Sequence, residues 1–397
     1  MYYFCRMKCI ERALSGKLLG MTMKFPVVFL AGPRQSGKST LLKHALKNYE
    51  YINLEAQKVN DFALNDPRGF LNTFKGKVII DDVHKAPGLI SHIKNKIDEK
   101  GGPGMFVLSG RLDSQMKSSI SELLSGLAVK LTLLPFSLSE LAGAGKCPKS
   151  TNEWMFKGTY PELFLSTISP EIFFYRYTAD LMELDIKSET KIYALNKFRR
   201  FLFILAVNSG SPMNLSKLGE ELSIDARTAN SWISALEECF ILFRLAPYLC
   251  NSWKRPAKTP KIYFYDPGFL CSLLGLSSAE ELNFNRMRNH IFETAVISEF
   301  VKKALNCGYL HKMYYARDLD NKEKEIDLID ASCNTALTLT EIRASQTVNE
   351  DYIKNLSSFN ASEVIAENKT ISKQVIYEGS ETPVFEDVNY INWKSLG

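Results

Sequence analysis

No run of about eighteen apolar residues occurs anywhere in the 397-residue chain, which excludes a membrane-spanning helix. The N-terminus has no uninterrupted apolar core either. Arg6, Lys8, Arg12 and Lys17 break each short apolar stretch, so no signal peptide is expected and the chain reads as cytoplasmic, with no membrane partner. The eight cysteines include no C-x-x-C. Cys5 and Cys9 form a lone C-x-x-x-C pair without a second half, a pattern of reduced thiols rather than of a zinc site. Excess charge is scarce as well: a net +5 permits a polyanionic partner without demanding one. Internal repeats and low-complexity segments are absent, which argues against a solenoid. What remains, 45% apolar and 23% charged, is an ordinary globular composition, long enough for two or three domains with cores of their own.

Within that composition one segment specifies chemistry. Gly32-Pro33-Arg34-Gln35-Ser36-Gly37-Lys38-Ser39 completes the pattern G-x-x-x-x-G-K-[ST] between the apolar run Val27 to Leu30 and an amphipathic stretch carrying Leu41, Leu42, Ala45 and Leu46. This is a phosphate-binding loop in the strand-loop-helix setting it requires. The glycines allow a tight turn with N–H groups pointing inward, the following helix adds its positive end, and Lys38 supplies a point charge for the β- and γ-phosphates. Ser39 is expected to ligate Mg²⁺, and Thr40 closes the segment expected to hold ATP.

Such a loop needs carboxylates on a neighbouring strand end to hold the Mg²⁺ shell and the attacking water. Val78-Ile79-Ile80-Asp81-Asp82 meets that need: Asp81 falls where a carboxylate holds the metal shell, and Asp82 where one orients and deprotonates water. Ser109 closes the apolar run Met105 to Leu108 and is placed to sense the γ-phosphate, although a strand-ending Ser before Gly110 also suits a plain turn.

From Lys24 to about Leu134 apolar strands (27–30, 51–54, 78–80, 106–108 and 129–134) alternate with helical spacing, which implies a mostly parallel sheet covered on both faces. Residues 1–136 are therefore expected to form a P-loop NTPase core, and 137–190, where strands stop, a helical lid. Residues 191–265 read as three helices and a hairpin. Asp225 caps the third helix, Ala226 to Phe240, which exposes Arg227, Thr228, Asn230 and Ser231, and the strands 241–245 and 262–265 flank the basic loop 254–261. That order suits a winged helix binding double-stranded DNA through the helix and through Lys254, Arg255, Lys258 and Lys261, or equally a packing module.

In residues 266–397 a helix, Phe292 to Leu305, precedes strands at 313–315, 326–329 and 336–342. Asp327 lies inside an apolar strand, while Glu341 and Arg343 share one face of the next. With Glu293 from the helix, these residues suit either the Mg²⁺ site of a restriction-type nuclease or a structural ion-pair cluster.

The chain resembles a bacterial and archaeal family of AAA-type ATPases with a second, functionally unassigned C-terminal domain. The residues that carry the resemblance are Gly32 to Thr40, Asp81-Asp82 with His84-Lys85-Ala86-Pro87, Leu108-Ser109-Gly110, Leu134 to Leu141, Gly158-Thr159-Tyr160-Pro161-Glu162, Lys258 to Phe264 and Glu325 to Leu328. The resemblance implies an α/β fold: a P-loop NTPase with an AAA+-like parallel sheet, then a winged-helix module and a C-terminal α/β restriction-nuclease-like domain. It also shows three departures: Asp82 stands for the usual Glu, Ser125-Gly126-Leu127 for an Ala-Gly-Arg whose arginine is the candidate finger (with Arg111 nearby), and Arg343 for the nuclease Lys. Arg343 cannot act as a base. The expected function is an ATPase working as a nucleotide-driven switch on DNA or a protein partner. The alternatives are an ATP-gated adaptor with little hydrolysis, a small-molecule kinase and a weak metal-dependent nuclease.

Overall fold

The computed structural model describes residues 9–111, 114–124, 126–186, 195–248, 256–308, 312–320, 324–358, 370–381, 383–385 and 387–397. The chain divides into two compact units. One takes Met1–Phe136 with Ser234–Phe240 and Leu305–Tyr309; the other takes Ser137–Ile233, Ile241–Ala304 and Leu310–Gly397.

The first unit is built on five parallel strands: β1 (Val27–Ala31), β2 (Glu50–Asn53), β3 (Val78–Asp81), β4 (Phe106–Gly110) and β5 (Ala128–Thr132), in the order β2-β3-β4-β1-β5. All five residues of β1 are buried, as the uninterrupted run Val-Val-Phe-Leu-Ala requires of a strand covered on both faces. One core joins Val28, Leu30, Ile79, Val107 and Leu131 of the sheet to Leu14, Leu18, Leu41, Leu42 and Leu46. The register sets Leu30 beside Ser109 and Ile80 beside Leu108, so the loop after β1, the Asp81 end of β3 and the Ser109 end of β4 share one carboxyl edge. Ligands bind at that edge of a parallel sheet where the strand order reverses.

The second unit opens with helices. Ser137 and Glu140 form a capping box on Leu138–Gly143, and Thr151–Lys157, Glu162–Leu165 and Pro170–Asp180 follow, the last running into a π-helical Leu181–Ile186. The segment 137–186, expected as the lid, thus falls wholly in this unit. Leu195–Val207, Leu215–Leu222 and Ala226–Glu238 are the three expected helices. Asp225 caps the third, accepting from Thr228 N at 2.7 Å and Thr228 Oγ1 at 2.8 Å, and Phe198 and Phe201 meet Trp232 edge to face.

Eight strands follow among the described residues of this unit: β6 (Leu242–Pro247), β7 (Lys261–Phe264), β8 (Met313–Arg317), β9 (Glu325–Asp330), β10 (Ala336–Arg343), β11 (Thr370–Tyr377), β12 (Val384–Phe385) and β13 (Val388–Asn392). They form one sheet in the order β12-β13-β11-β10-β9-β8-β6-β7. The hairpin assigned to a wing is therefore the end of this sheet, because β6 pairs antiparallel with β7 and also parallel with β8 through Ala246 and Tyr314. A division at residue 265 cuts a continuous sheet. Every residue of β7 is buried, including Lys261, which corrects its assignment to an exposed DNA-binding loop. Lys258 is exposed, and Lys254 and Arg255 lie outside the described residues.

Candidate functional site

The loop after β1 needs its glycines for separate reasons. At Gly32, φ is +150° and a Cβ would lie 2.2 Å from the Leu133 carbonyl oxygen; at Gly37, φ is +93°, the left-handed turn that lets the chain enter the helix Lys38–Ala45. Pro33 and Ser36 are buried, Arg34 and Ser39 half-buried, and Gln35 (φ +59°) and Thr40 exposed. Lys38 donates to the carbonyl oxygens of Gly32 at 2.9 Å and Pro33 at 2.7 Å, so its ammonium stays over the loop. Arg12 holds the loop from beneath. Its guanidinium donates to Ser36 O at 2.7 Å and Leu134 O at 2.6 Å and lies 4.8 Å from the Phe136 ring centroid.

Asp81 is buried at the end of β3. Ser109 donates to its Oδ1, Tyr51 to its Oδ2 at 2.5 Å, and the Asp82 N–H to Oδ1 at 3.1 Å. Burial raises the Asp81 carboxyl, but hydrogen bonds from Ser109, Ser39 and Tyr51 and the charge of Lys38 outweigh it and hold the group below its ordinary value. The Tyr51 hydroxyl moves the other way, raised by burial and by Asp81, so it stays protonated and donates. The Ser109 hydroxyl, expected to sense the γ-phosphate, is fully buried and donates to Asp81. Asp82 adopts a left-handed backbone (φ +58°, ψ +37°), and burial followed by repulsion from Asp81 raises its carboxyl. A raised carboxyl is the better proton acceptor. His84 follows two residues later, its Nδ1 3.9 Å from Asp82 Oδ1. Burial, reinforced by the charges of Arg111, Arg34, Lys38 and Lys85, lowers its imidazole to about 3, so the ring is neutral. The Ser39 hydroxyl and the charged Asp81, near enough for the one to lower the other, are hard oxygen donors, a set that fits Mg²⁺.

Sequence reasoning brought Gly32 to Thr40, Asp81, Asp82 and Ser109 to one edge but missed Arg12 and Tyr51. Arg12 is an isolated basic residue and Tyr51 an ordinary strand aromatic. Only the folded sheet gives either a partner.

The second acidic constellation is closed by cations. Arg343 Nη1 lies 3.3 Å from Asp327 Oδ2, its Nη2 bonds Glu341, and the Ile342 N–H donates to Asp327 at 2.8 Å. Glu293 does not join that group by contact. It accepts from Tyr263 at 2.5 Å and pairs with Lys261 at 3.3 Å, while Lys261 also pairs with Glu325 at 2.5 Å and Glu325 with Arg317 at 3.3 Å. Burial opposes the charge on Lys261, yet Glu293, Tyr263, Glu325 and Asp327 together keep it protonated. Burial and the Glu293 charge raise Asp327, whereas Lys261 and its hydrogen-bonding neighbours outweigh burial at Glu293 and lower it. Among the described residues no group of three or more His, Cys, Asp or Glu side chains is arranged to hold a metal ion.

No described helix is long and apolar enough to cross a membrane. Residues 148–280 and 288–396 match models described as domains of unknown function (DUF8612 and DUF4143). Uncharacterized proteins of Mycobacterium tuberculosis and Mycobacterium bovis are each 25% identical over 329 residues, covering 81% of this chain and 72% of theirs. Among solved structures, a Walker-type ATPase of Pyrococcus abyssi is similar at 14% identity and a TM-score of 0.47, over 68% of this chain and 97% of that one. Residues 24–142, which contain the loop and all of its carboxylate partners, match the family model described as an AAA domain, and the chain therefore carries an AAA-type P-loop domain.

Proposed function

We propose that the first unit binds ATP with Mg²⁺ and hydrolyses it to ADP and phosphate, acting as a nucleotide-driven switch on a partner. The observation that carries this reading is the convergence of the Gly32–Thr40 loop, Asp81 and Asp82 on one carboxyl edge of a parallel sheet. Loop N–H groups and Lys38 receive the phosphates, and Ser39 and Asp81 would hold the metal. Mg²⁺ supplies charge that offsets the developing negative charge on the transferred phosphoryl group. Asp82 takes a proton from water as the water oxygen bonds the γ-phosphorus. The bond to the β,γ-bridging oxygen breaks, ADP leaves with that electron pair, and the proton passes on to phosphate.

Double-stranded DNA is the candidate partner. Its support is the Asp225-capped helix Ala226–Glu238, on which Arg227, Asn230 and Ser231 are exposed, together with exposed Lys258. The C-terminal carboxylates are read as a structural ion-pair network, supported by the cations already seated on Glu293, Glu325, Asp327 and Glu341. Phosphate release by the full chain, with and without duplex DNA and across a salt series, tests the whole reading. Release stimulated by DNA is expected. ATP affinity without release would make the protein an ATP-gated adaptor, and salt-independent release unaltered by DNA would point to a protein partner. Replacing Lys254, Arg255 and Lys258 by Ala should flatten the salt dependence of DNA binding by about 0.9 for each phosphate that a side chain no longer neutralises.

A further inference from the structure

His84 belongs to the active edge yet has no task in the chemistry above. Its side chain is 6% exposed, and neither ring nitrogen has a hydrogen-bond partner among the described residues. Buried polar atoms are nearly always paired, so two on one ring mark a place where a further molecule belongs. The ring lies against Gly110, where a Cβ would come within 2.9 Å of Nδ1; the neighbouring strand end is bare of a side chain just where the imidazole sits. Nδ1 is 3.9 Å from Asp82 Oδ1, too far for a direct hydrogen bond and close enough for one water to bond both. In a neutral imidazole each ring nitrogen makes one hydrogen bond, and Nδ1, the nitrogen nearer Asp82, is the one that can give the water its second bond.

We propose that His84 is a positioning residue for ATP hydrolysis: with Asp82 it holds the attacking water, supplying that water with a second hydrogen bond. The inference rests on the ATPase reading above. Asp82 remains the proton acceptor. His84 fixes the water oxygen so that its lone pair faces the γ-phosphorus as the bond to the bridging oxygen breaks, and the imidazole neither gains nor loses a proton overall.

The test compares the full chain with His84→Phe, His84→Gln and Asp82→Asn. Phe keeps the ring's volume against Gly110 without nitrogens, and Gln restores an amide donor and acceptor. The readouts are the affinity for a non-hydrolysable ATP analogue, kcat and KM for phosphate release, and trapping of ADP by fluoroaluminate, a mimic of the transferring phosphoryl group. His84→Phe should lower kcat by about 10-fold, the worth of one neutral hydrogen bond, with analogue affinity and KM unchanged and ADP trapping weakened in proportion. His84→Gln should recover most of both. Wild-type kcat and trapping in His84→Phe would overturn the proposal, as would a loss carried by analogue affinity in both His84 variants, which would make the ring a packing element. Phosphate release by wild type no greater than by Asp82→Asn would instead sink the ATPase reading, and this proposal with it.

Discussion

Asp81 and Asp327 both lie on buried strands, yet Asp81 is held by the hydroxyls of Ser109 and Tyr51, and Asp327 by the guanidinium of Arg343. Hydroxyls stabilise a carboxylate without cancelling its charge, so Asp81 is lowered and still calls for a cation. In the second unit Lys261, Arg317 and Arg343 supply that charge from the protein itself. Similar acidic patterns in the sequence thus become one carboxylate held by hydroxyls and one cluster closed by cationic side chains. What decides between them is the neighbour each strand acquires in its sheet, not the acidic residues.

The sharpest way to break this comparison is Lys38→Ala, which removes the ammonium poised over the loop. Nucleotide binding should fall below detection by calorimetry while the thermal midpoint holds, since the Lys38 ammonium donates to the loop carbonyls of Gly32 and Pro33. Retained affinity would remove the phosphate site from the first unit. Next in size is Asp82→Asn, which keeps the shape and loses the proton acceptor: ATP should remain bound while phosphate release drops by about 10² to 10⁴-fold. Asp82→Glu should raise turnover above wild type if the short carboxylate limits it.

Lys261→Met probes the other side. It leaves the half-buried Glu293 and Glu325 without Lys261, which should destabilise the chain by about 1–3 kcal/mol in denaturant titrations while leaving the ATP affinity of the first unit untouched. The same variant sharpens the contrast if Mn²⁺ raises its thermal midpoint but not that of wild type, because the vacated carboxylates would then resemble Asp81. A DNA nicking activity of wild type that Asp327→Ala abolishes would erase the distinction between the two acidic patterns.

The smallest effect expected is an acid limb from His84. Its folded pKa of about 3 lies below the ordinary 6.5, so between those values the unfolded chain takes up a proton that the folded chain refuses. Stability is therefore lost as pH falls through that window, by at most about 1.4 kcal/mol for each pH unit. His84→Gln should flatten this limb in unfolding curves measured from pH 7 to pH 4. Parallel curves for the two proteins would show the imidazole to be protonated in the fold.

Much of the first unit was legible because its signals are contiguous. The five strands differ from their expected spans by a residue or two at the ends, and Gly32 to Thr40, Asp81 and Asp82 meet as their order along the chain suggests. Arg12 and Tyr51 were not legible, because their partners lie 24 and 122 residues away for Arg12 and 30 for Tyr51. Lys261 was misjudged for a related reason. A lysine ending a run of basic residues reads as an exposed loop, and only the pairing of β7 with β6, and of β6 with β8, draws it into the sheet beside Glu293 and Glu325.

Spacing along the chain was enough to determine the phosphate loop, the parallel α/β core and the helix cap at Asp225, because backbone geometry and helix dipoles act over a few residues. Tertiary structure alone decided which carboxylates are paired with cations, that Ser109 donates to Asp81, and that His84 faces Asp82 with neither nitrogen hydrogen-bonded among the described residues. Each of these depends on a side chain from a distant strand, and the strength of a charge or a hydrogen bond is set by the burial and the neighbours that only the assembled sheets provide.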